Sequence, residues 1–418
     1  MFTKIRSGSK RLHFWLSAKG SEVNKLLWIN GSFGDCLYLL DVFLLISEIQ
    51  SEKTAKWTNG RKVRIFANSL FVFQIVVTIL QMVHARDNNN NVEFQIVLSI
   101  TKLVGMIAIC VKWSLLIFQT RQICTVLNFI TSNQLDSGDE AYDELEYKEF
   151  NRSACTMMRI IYAMTIANAV LLLVPSAATK QALALPPPLS NYGKLVSCIV
   201  YLFSTQLLFL GTVPKFLSNM ACIGMLIMGM RFKLKILAHR YFRMLNQPVV
   251  SSEKHFARME RDVKEVLNYQ TEYRKHFETL KQFVEKAFFI AHFYALYSLG
   301  TCFYLSHKTG FNVLSLTLIS LSVAYILKYY LWCHLVESLQ DVANSIGDLI
   351  YEHCVQMPYS RKHHTQYMGM KTSLIIIWMN TKNGYAISCM GMLDISTKTF
   401  VSFLNAVYSV MMFLINVV

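Results

Sequence analysis

The chain is 418 residues long, 53% hydrophobic and 16% charged, with a formal net charge of +15 at pH 7. This is too apolar for an ordinary soluble globule and points to a polytopic membrane protein, whose positive charge reads as basic cytoplasmic loops beside anionic lipid rather than a nucleic-acid surface. The ten cysteines form no C-x-x-C pair and no His/Cys cluster with zinc spacing, which argues against a disulfide framework and a metal module.

The start, MFTKIRSGSKRLHFWLSAKG, lacks the apolar core of a signal peptide, so no cleaved signal and a cytosolic N-terminus are expected. The segment 1–62 also holds a short apolar run, Cys36–Ser47, of re-entrant or interfacial length. Spanning-length apolar runs then follow at Val63–Val83, Phe94–Phe118, Ser153–Ser176 and Lys194–Met230, which place four spans in 63–230. The acidic stretch DSGDEAYDELEYKE at 136–149 lacks the alternating ligands of a calcium loop and reads as a solvated helix start. Residues 231–282 read as cytoplasmic helical extensions, broken at Gln247-Pro248, with Glu260 and Lys264 paired four apart. Spans five and six, Phe283–Leu305 and Val313–Leu335, fall in 283–335. Residues 336–394 carry a second short apolar run, Met368–Met379, which Asn380 to Gly384 are expected to break. The final stretch, 395–418, is a seventh span.

Orientation follows from the basic residues. With the N-terminus inside, the inside segments hold 28 Lys plus Arg and the outside segments 4. That bias predicts a cytoplasmic N-terminus and an extracellular C-terminus in the plasma membrane. Both N-x-[ST] sequons, at Asn30 and Asn151, then fall inside, where no glycan is added.

No nucleophile elbow, phosphate loop, metalloprotease pair or paired-acid constellation is present, so the chain is not read as an enzyme and no cofactor is expected. His334 and Glu337, with His363 and His364 nearby, are a weak acid–base or metal set. Lys102, Lys112 and Lys215 lie inside spans. Lys112 is near an inner end and is expected to snorkel out, whereas Lys102 and Lys215 are candidates for a protein-lined interior. The outer halves of spans two to six concentrate Phe94, Leu98, Asn168, Leu171, Leu172, Tyr201, Thr205, Tyr297, Leu314, Thr317 and Leu318. Apolar and aromatic walls with a few polar groups suit a small-ligand pocket between helices; packed core or lipid contact suits the same residues taken singly. In the last span Ser402, Asn405, Ser409 and Asn416 recur at steps of three, four and seven, so they share one side of a helix. Phe413 and Val417 fall close to that side near the outer end. Such a stripe lines water or holds a neighbouring helix.

The ending IIIWMNTKNGYAISCMGMLDISTKTFVSFLNAVYSVMMFL resembles that of insect odorant receptors, with Ser-x-x-x-Phe and a Tyr-Ser pair in the last span. The segment SLQDVANSIGDLIYEHC at 338–354 resembles the matching upstream part of that family, without its usual Trp. Gustatory receptors are close relatives, but their Thr-Tyr and Gln-Phe signature would here be Thr399-Phe400 and Ala406-Val407. The resemblance implies a subunit of a tetrameric, odorant-gated, poorly selective cation channel that binds a small volatile molecule. It also implies a heterotetramer with the family's co-receptor subunit, whose longer insertion between spans four and five this chain lacks. The last helix then lines the pore, with Asn416 in the place of a pore glutamine and Val417 beside it at a hydrophobic gate. A membrane transporter is the alternative class, but no inverted repeat is evident.

Overall fold

The computed structural model describes residue 40, residues 60–85, 92–132, 134–173, 213–246 and 252–357, residue 359, and residues 361–417. The described chain is helical throughout: α1 Gly60–Ala85, α2 Val92–Phe118, α3 Thr120–Thr131, α4 Glu140–Leu173, α5 Val213–Leu245, α6 Ser252–Thr309, α7 Val313–Gln356, a 3-10 turn Arg361–His363, α8 His364–Gly384 and α9 Thr397–Val417. Among the described residues the only β pairing is one isolated bridge between Ser388 and Asp394.

Four of these helices are long and apolar enough to cross a membrane, over Ile96–Phe118 of α2, Arg258–Thr309 of α6, Val313–Gln356 of α7 and Thr397–Asn416 of α9. At 58 and 44 residues, α6 and α7 are about 87 Å and 66 Å long at 1.5 Å per residue, far beyond a ~30 Å hydrocarbon core. Each therefore joins an apolar segment to a polar one without a break. The core is organised around α5, which is buried on nearly every side over 215–237 and packs on α7, α4 and α6.

The polar ends of α5, α6 and α8 are tied by side chains. Tyr241 donates its hydroxyl to Gln270 Oε1 at 2.6 Å, and Gln270 Nε2 donates to Thr381 Oγ1 at 2.9 Å and towards the Tyr385 hydroxyl at 3.5 Å. Tyr273 donates to the Met230 carbonyl at 3.2 Å and meets Tyr385 edge-on. Buried polar groups satisfied in this way fix one arrangement of the helices. Glu260 and Lys264 pair at 2.9 Å on the exposed side of α6.

Two expectations need correction. Asn380 to Gly384 do not break α8, which runs on to Gly384 because Thr381 is fully buried against Gln270 and its hydroxyl also donates to the Ile377 carbonyl. The helix stops at Gly384, with Tyr385 as its C-cap, and the chain then turns in a hairpin where Met390 and Gly391 both have positive φ, 49° and 77°. The amide of Met392 donates to the Cys389 carbonyl across that turn, as a type I′ turn requires. The acidic stretch is indeed a helix start, with Asp139 Oδ1 accepting from the amides of Ala141 and Tyr142. However, it is docked rather than merely solvated. Lys235 bridges Glu146 and Glu149 at 2.9 and 3.2 Å, and Arg240 joins Asp136 at 2.6 Å and Glu265 at 2.5 Å. The run Cys36–Ser47 lies outside the described residues apart from Leu40.

Candidate ligand sites and the face of the last helix

The N-terminal ends of α2 and α7 and the C-terminal ends of α6 and α9 meet in a small apolar cluster. Leu98, Leu314 and Leu318 pack there with Cys302, Tyr304 and Leu305, and Leu414 and Ile415 of α9 close it. Thr317 is buried beside them with its hydroxyl donated to the Val313 carbonyl at 2.8 Å, while Tyr297 is half-buried. On α4, Asn168 donates Nδ2 to the Met164 carbonyl at 2.9 Å, and its buried Oδ1 has no partner among the described residues. Leu171 beside it is half-buried. The sequence-derived set is thus brought together in part, through Leu98 of α2 and Leu314 and Leu318 of α7. Tyr201 and Thr205 lie outside the described residues, as do the side chains of Phe94 and Leu172. A cavity of about 580 Å³ lies elsewhere, between the α3–α4 connection and α5, lined by Asp136, Asp143, Tyr147, Phe232 and Lys233 among others. Lys233 donates to the Ser132 carbonyl at 2.6 Å, and burial pulls its ammonium down to about 8.

Deeper in the bundle is a group of lysines. Lys112 does not snorkel out: it is 1% exposed, with Nζ 4.4 Å from the centre of the Tyr294 ring and 5.1 Å from that of Phe216. Its inner position on α2 suggested escape to the interface, but α5 and α6 cover it with aromatic rings. Lys215 of α5 is buried against α1 and α2, on Asn68 and over Phe71 and Trp113. Lys102 is half-buried. Lys328 of α7 was missed by the sequence reading. It is 4% exposed and sits over Phe216 and Trp332 at 4.7 and 4.8 Å. The only advance signal was a lysine 15 residues into an otherwise uncharged run beginning at Val313. Tyr325 donates to the Tyr294 hydroxyl at 2.9 Å and meets Phe216 edge-on at 5.0 Å, so Phe216 is the common wall of the group. Gly105 allows this approach, since a Cβ there would come to 3.1 Å from the Tyr294 hydroxyl. Each cation–π contact returns about 0.5–2 kcal/mol, against several kcal/mol for taking one ammonium out of water. The rings alone do not balance these charges.

The last helix has two sides. Phe403 and Val407 are buried against α6 and α7, and Val410 closes onto Gly300 of α6. The opposite side is uncovered by the described chain: Ser402, Asn405, Ser409 and Asn416 are all exposed, and Phe413 is 62% exposed. Ser409 donates back to the Asn405 carbonyl at 3.0 Å, so the hydroxyls are held close to the helix. Val401, Tyr408 and Met412 form an exposed apolar flank along one edge of the stripe. The side chain of Val417 lies outside the described residues. At the base of the helix, Glu337 Oε2 accepts from the Thr397 amide at 3.4 Å, which uses Glu337 for capping, while His334 stacks on Tyr330.

By sequence, a family model described as 7tm odorant receptor matches residues 94–408. No curated protein matches the chain. By fold, the chain is similar to the insect olfactory receptor OR5 from Machilis hrabei, with a TM-score of 0.71 at 12% identity over 91% of this chain and 98% of that one. The structure of that receptor in complex with eugenol matches equally, with a TM-score of 0.71 at 11% identity and the same coverage. An all-helical membrane fold, an uncovered polar face on the last helix and a family match over three quarters of the sequence agree, and the chain belongs to the 7tm odorant receptor family.

Proposed function

We propose that this chain is an odour-tuning subunit of a ligand-gated, poorly selective cation channel in the plasma membrane. It has seven spans, a cytoplasmic N-terminus and an extracellular C-terminus. The carrying observation is the face of α9. Ser402, Asn405, Ser409 and Asn416 are polar, uncharged and left uncovered by the described residues. In hydrocarbon such a face is unfavourable, and several copies around an axis give it water. Phe413 and Val417 near the outer end supply the apolar constriction, and the Asn416 amide replaces part of an ion's hydration shell. The polar ends of α5 to α8 form the cytoplasmic anchor through which subunits meet, and the partner is the family's co-receptor in a heterotetramer.

The ligand is a small volatile molecule. The similar receptor's complex with eugenol sets the scale of such a ligand. Phe94, Leu98, Asn168, Leu171, Leu172, Tyr201, Thr205, Tyr297, Leu314, Thr317 and Leu318 set its preference. Burial against such walls gains about 25 cal/mol per Å² of apolar area, and the amide of Asn168 fixes orientation. The test is expression with and without the co-receptor, with currents recorded against an odorant panel. Odorant-gated current requiring both subunits is the expected result. Substitutions in the outer-half set should reorder the odorants while surface expression holds; an unchanged ranking in every variant moves the ligand elsewhere.

A further inference from the structure

We infer that the interior junction of α2, α5, α6 and α7 is a binding site for a carboxylate, the head group of a small organic acid, held by Lys112 and Lys328 beside Phe216. The two ammonium groups lie 5.1 and 4.7 Å from the centre of that one ring, so both charges belong to a single junction. Lys328 Nζ is buried with no hydrogen-bond partner among the described residues. Two more buried donors, one on α7 and one on α5, share that condition. Trp332 Nε1 is one, on the ring 4.8 Å from Lys328 Nζ. The other is the amide of Asn219, one helical turn after Phe216, 0% exposed with neither Nδ2 nor Oδ1 paired. Unpaired buried donors are rare, and those of Lys328 and Trp332 lie side by side next to a second lysine. A negatively charged acceptor there satisfies both.

The spans do not supply that acceptor. No Asp or Glu occurs from 153 to 245 or from 286 to 336, and in α2 the single acid is Glu93, about 28 Å along the helix from Lys112. The surroundings select an organic acid over a hydrated inorganic ion. Phe216, Tyr294, Tyr325 and Trp332 are aromatic walls, and an inorganic ion finds little there to replace its hydration shell. An amphiphile gains by burying its apolar body against the same rings. Lys112 and Lys328 also follow Leu98 and Leu314 by the same interval, four turns of nearly one helix face, so the apolar cluster lies directly outward of the charges. This site is inward of the outer-half residues assigned above to odorant preference.

The experiment uses the full-length chain purified in a non-ionic detergent and compares hexanoate with hexanol. Binding is read by quenching of tryptophan fluorescence and by the shift in melting temperature. Hexanoate should bind at least roughly tenfold more tightly than hexanol. Lys112→Met and Lys328→Met should each weaken hexanoate by about tenfold and leave hexanol within about twofold. Equal wild-type affinity for the two probes overturns the proposal, and so does undiminished hexanoate binding by folded Lys328→Met. The first comparison needs no variant, so misfolding of a variant does not remove the test. Native mass spectrometry separates the sources of an anion: a phospholipid retained by the wild type, lost from Lys328→Met and not displaced by hexanoate overturns the small-acid assignment. Hexanoate binding without any odorant-gated current in the presence of co-receptor counts against the channel reading and leaves this site standing.

Discussion

Gly300 is where the last helix rests on α6, and adding one methyl group there tests that seating. A Cβ at Gly300 would lie 2.5 Å from Val410 Cγ1 and 3.3 Å from Val410 Cβ, with Leu414 at 3.9 Å. Valine branches at Cβ and is stiff in a helix, so the clash cannot be relieved by swinging a side-chain end; α9 itself has to shift. Replacing a mid-helix glycine by alanine gains about 1 kcal/mol from propensity, whereas overpacking of this kind costs about 1–3 kcal/mol. Gly300→Ala is therefore expected to be destabilising on balance, by about 1 kcal/mol. Gly369 is the control: it lies inside α8, exposed, with nothing within 4 Å of its added Cβ, so Gly369→Ala should raise the melting temperature. Val410→Ala removes the opposing methyl groups, so Gly300→Ala/Val410→Ala should recover about 1 kcal/mol relative to the sum of the single changes. The assay is thermal unfolding of detergent-solubilised protein followed by size-exclusion fluorescence. If Gly300→Ala stabilises as much as Gly369→Ala and shows no coupling to Val410, the seating of α9 on α6 is wrong.

Gln270→Leu should lower the melting temperature and surface expression, since it strands the Tyr241 hydroxyl and removes the Thr381 contact, at about 1–3 kcal/mol for a buried unsatisfied group. Gly391→Ala, at φ 77°, should destabilise the α8–α9 hairpin by about 1–2 kcal/mol, and Met390→Gly, at φ 49°, should stabilise it; limited proteolysis at the hairpin reads both. Lys233 titrates near 8 when folded and near 10.5 when unfolded, so the unfolded chain binds more protons between those values and stability rises with pH across that window. Lys233→Met should abolish that rise and add up to about 3 kcal/mol at pH 7, which melting curves at pH 7, 8 and 9 measure.

Much of the architecture was legible because it depends on local chemistry. The apolar run from Phe94 to Phe118 lies within α2, and α5 and α6 end and begin on either side of Gln247-Pro248. The steps of three, four and seven in the last span correspond to one exposed face of α9. What escaped the sequence depends on distant partners. The run Asn380 to Gly384 looks like a helix stop, yet Thr381 is held by Gln270, 111 residues earlier. Lys112 looks free to reach the interface until Tyr294 and Phe216 cover it. Lys328 scarcely alters the apolarity of its run, and only the packing of α5 against α7 reveals that it shares Phe216 with Lys112. The acidic stretch was recognisable as a helix start, but its basic partners lie on α5, about ninety residues on.

The central claim is that the uncovered face of α9 lines the ion path. Single cysteines at Asn405, Ser409, Phe413 and Asn416, co-expressed with the co-receptor, can be challenged with a permeant, charged thiol reagent while odorant-evoked current is recorded. The account predicts that Asn405→Cys and Ser409→Cys are modified faster in the presence of odorant, with current altered after modification, while Phe403→Cys on the buried side does not react. Normal currents with no modification at any of the four exposed positions would contradict it and make the stripe a contact between helices.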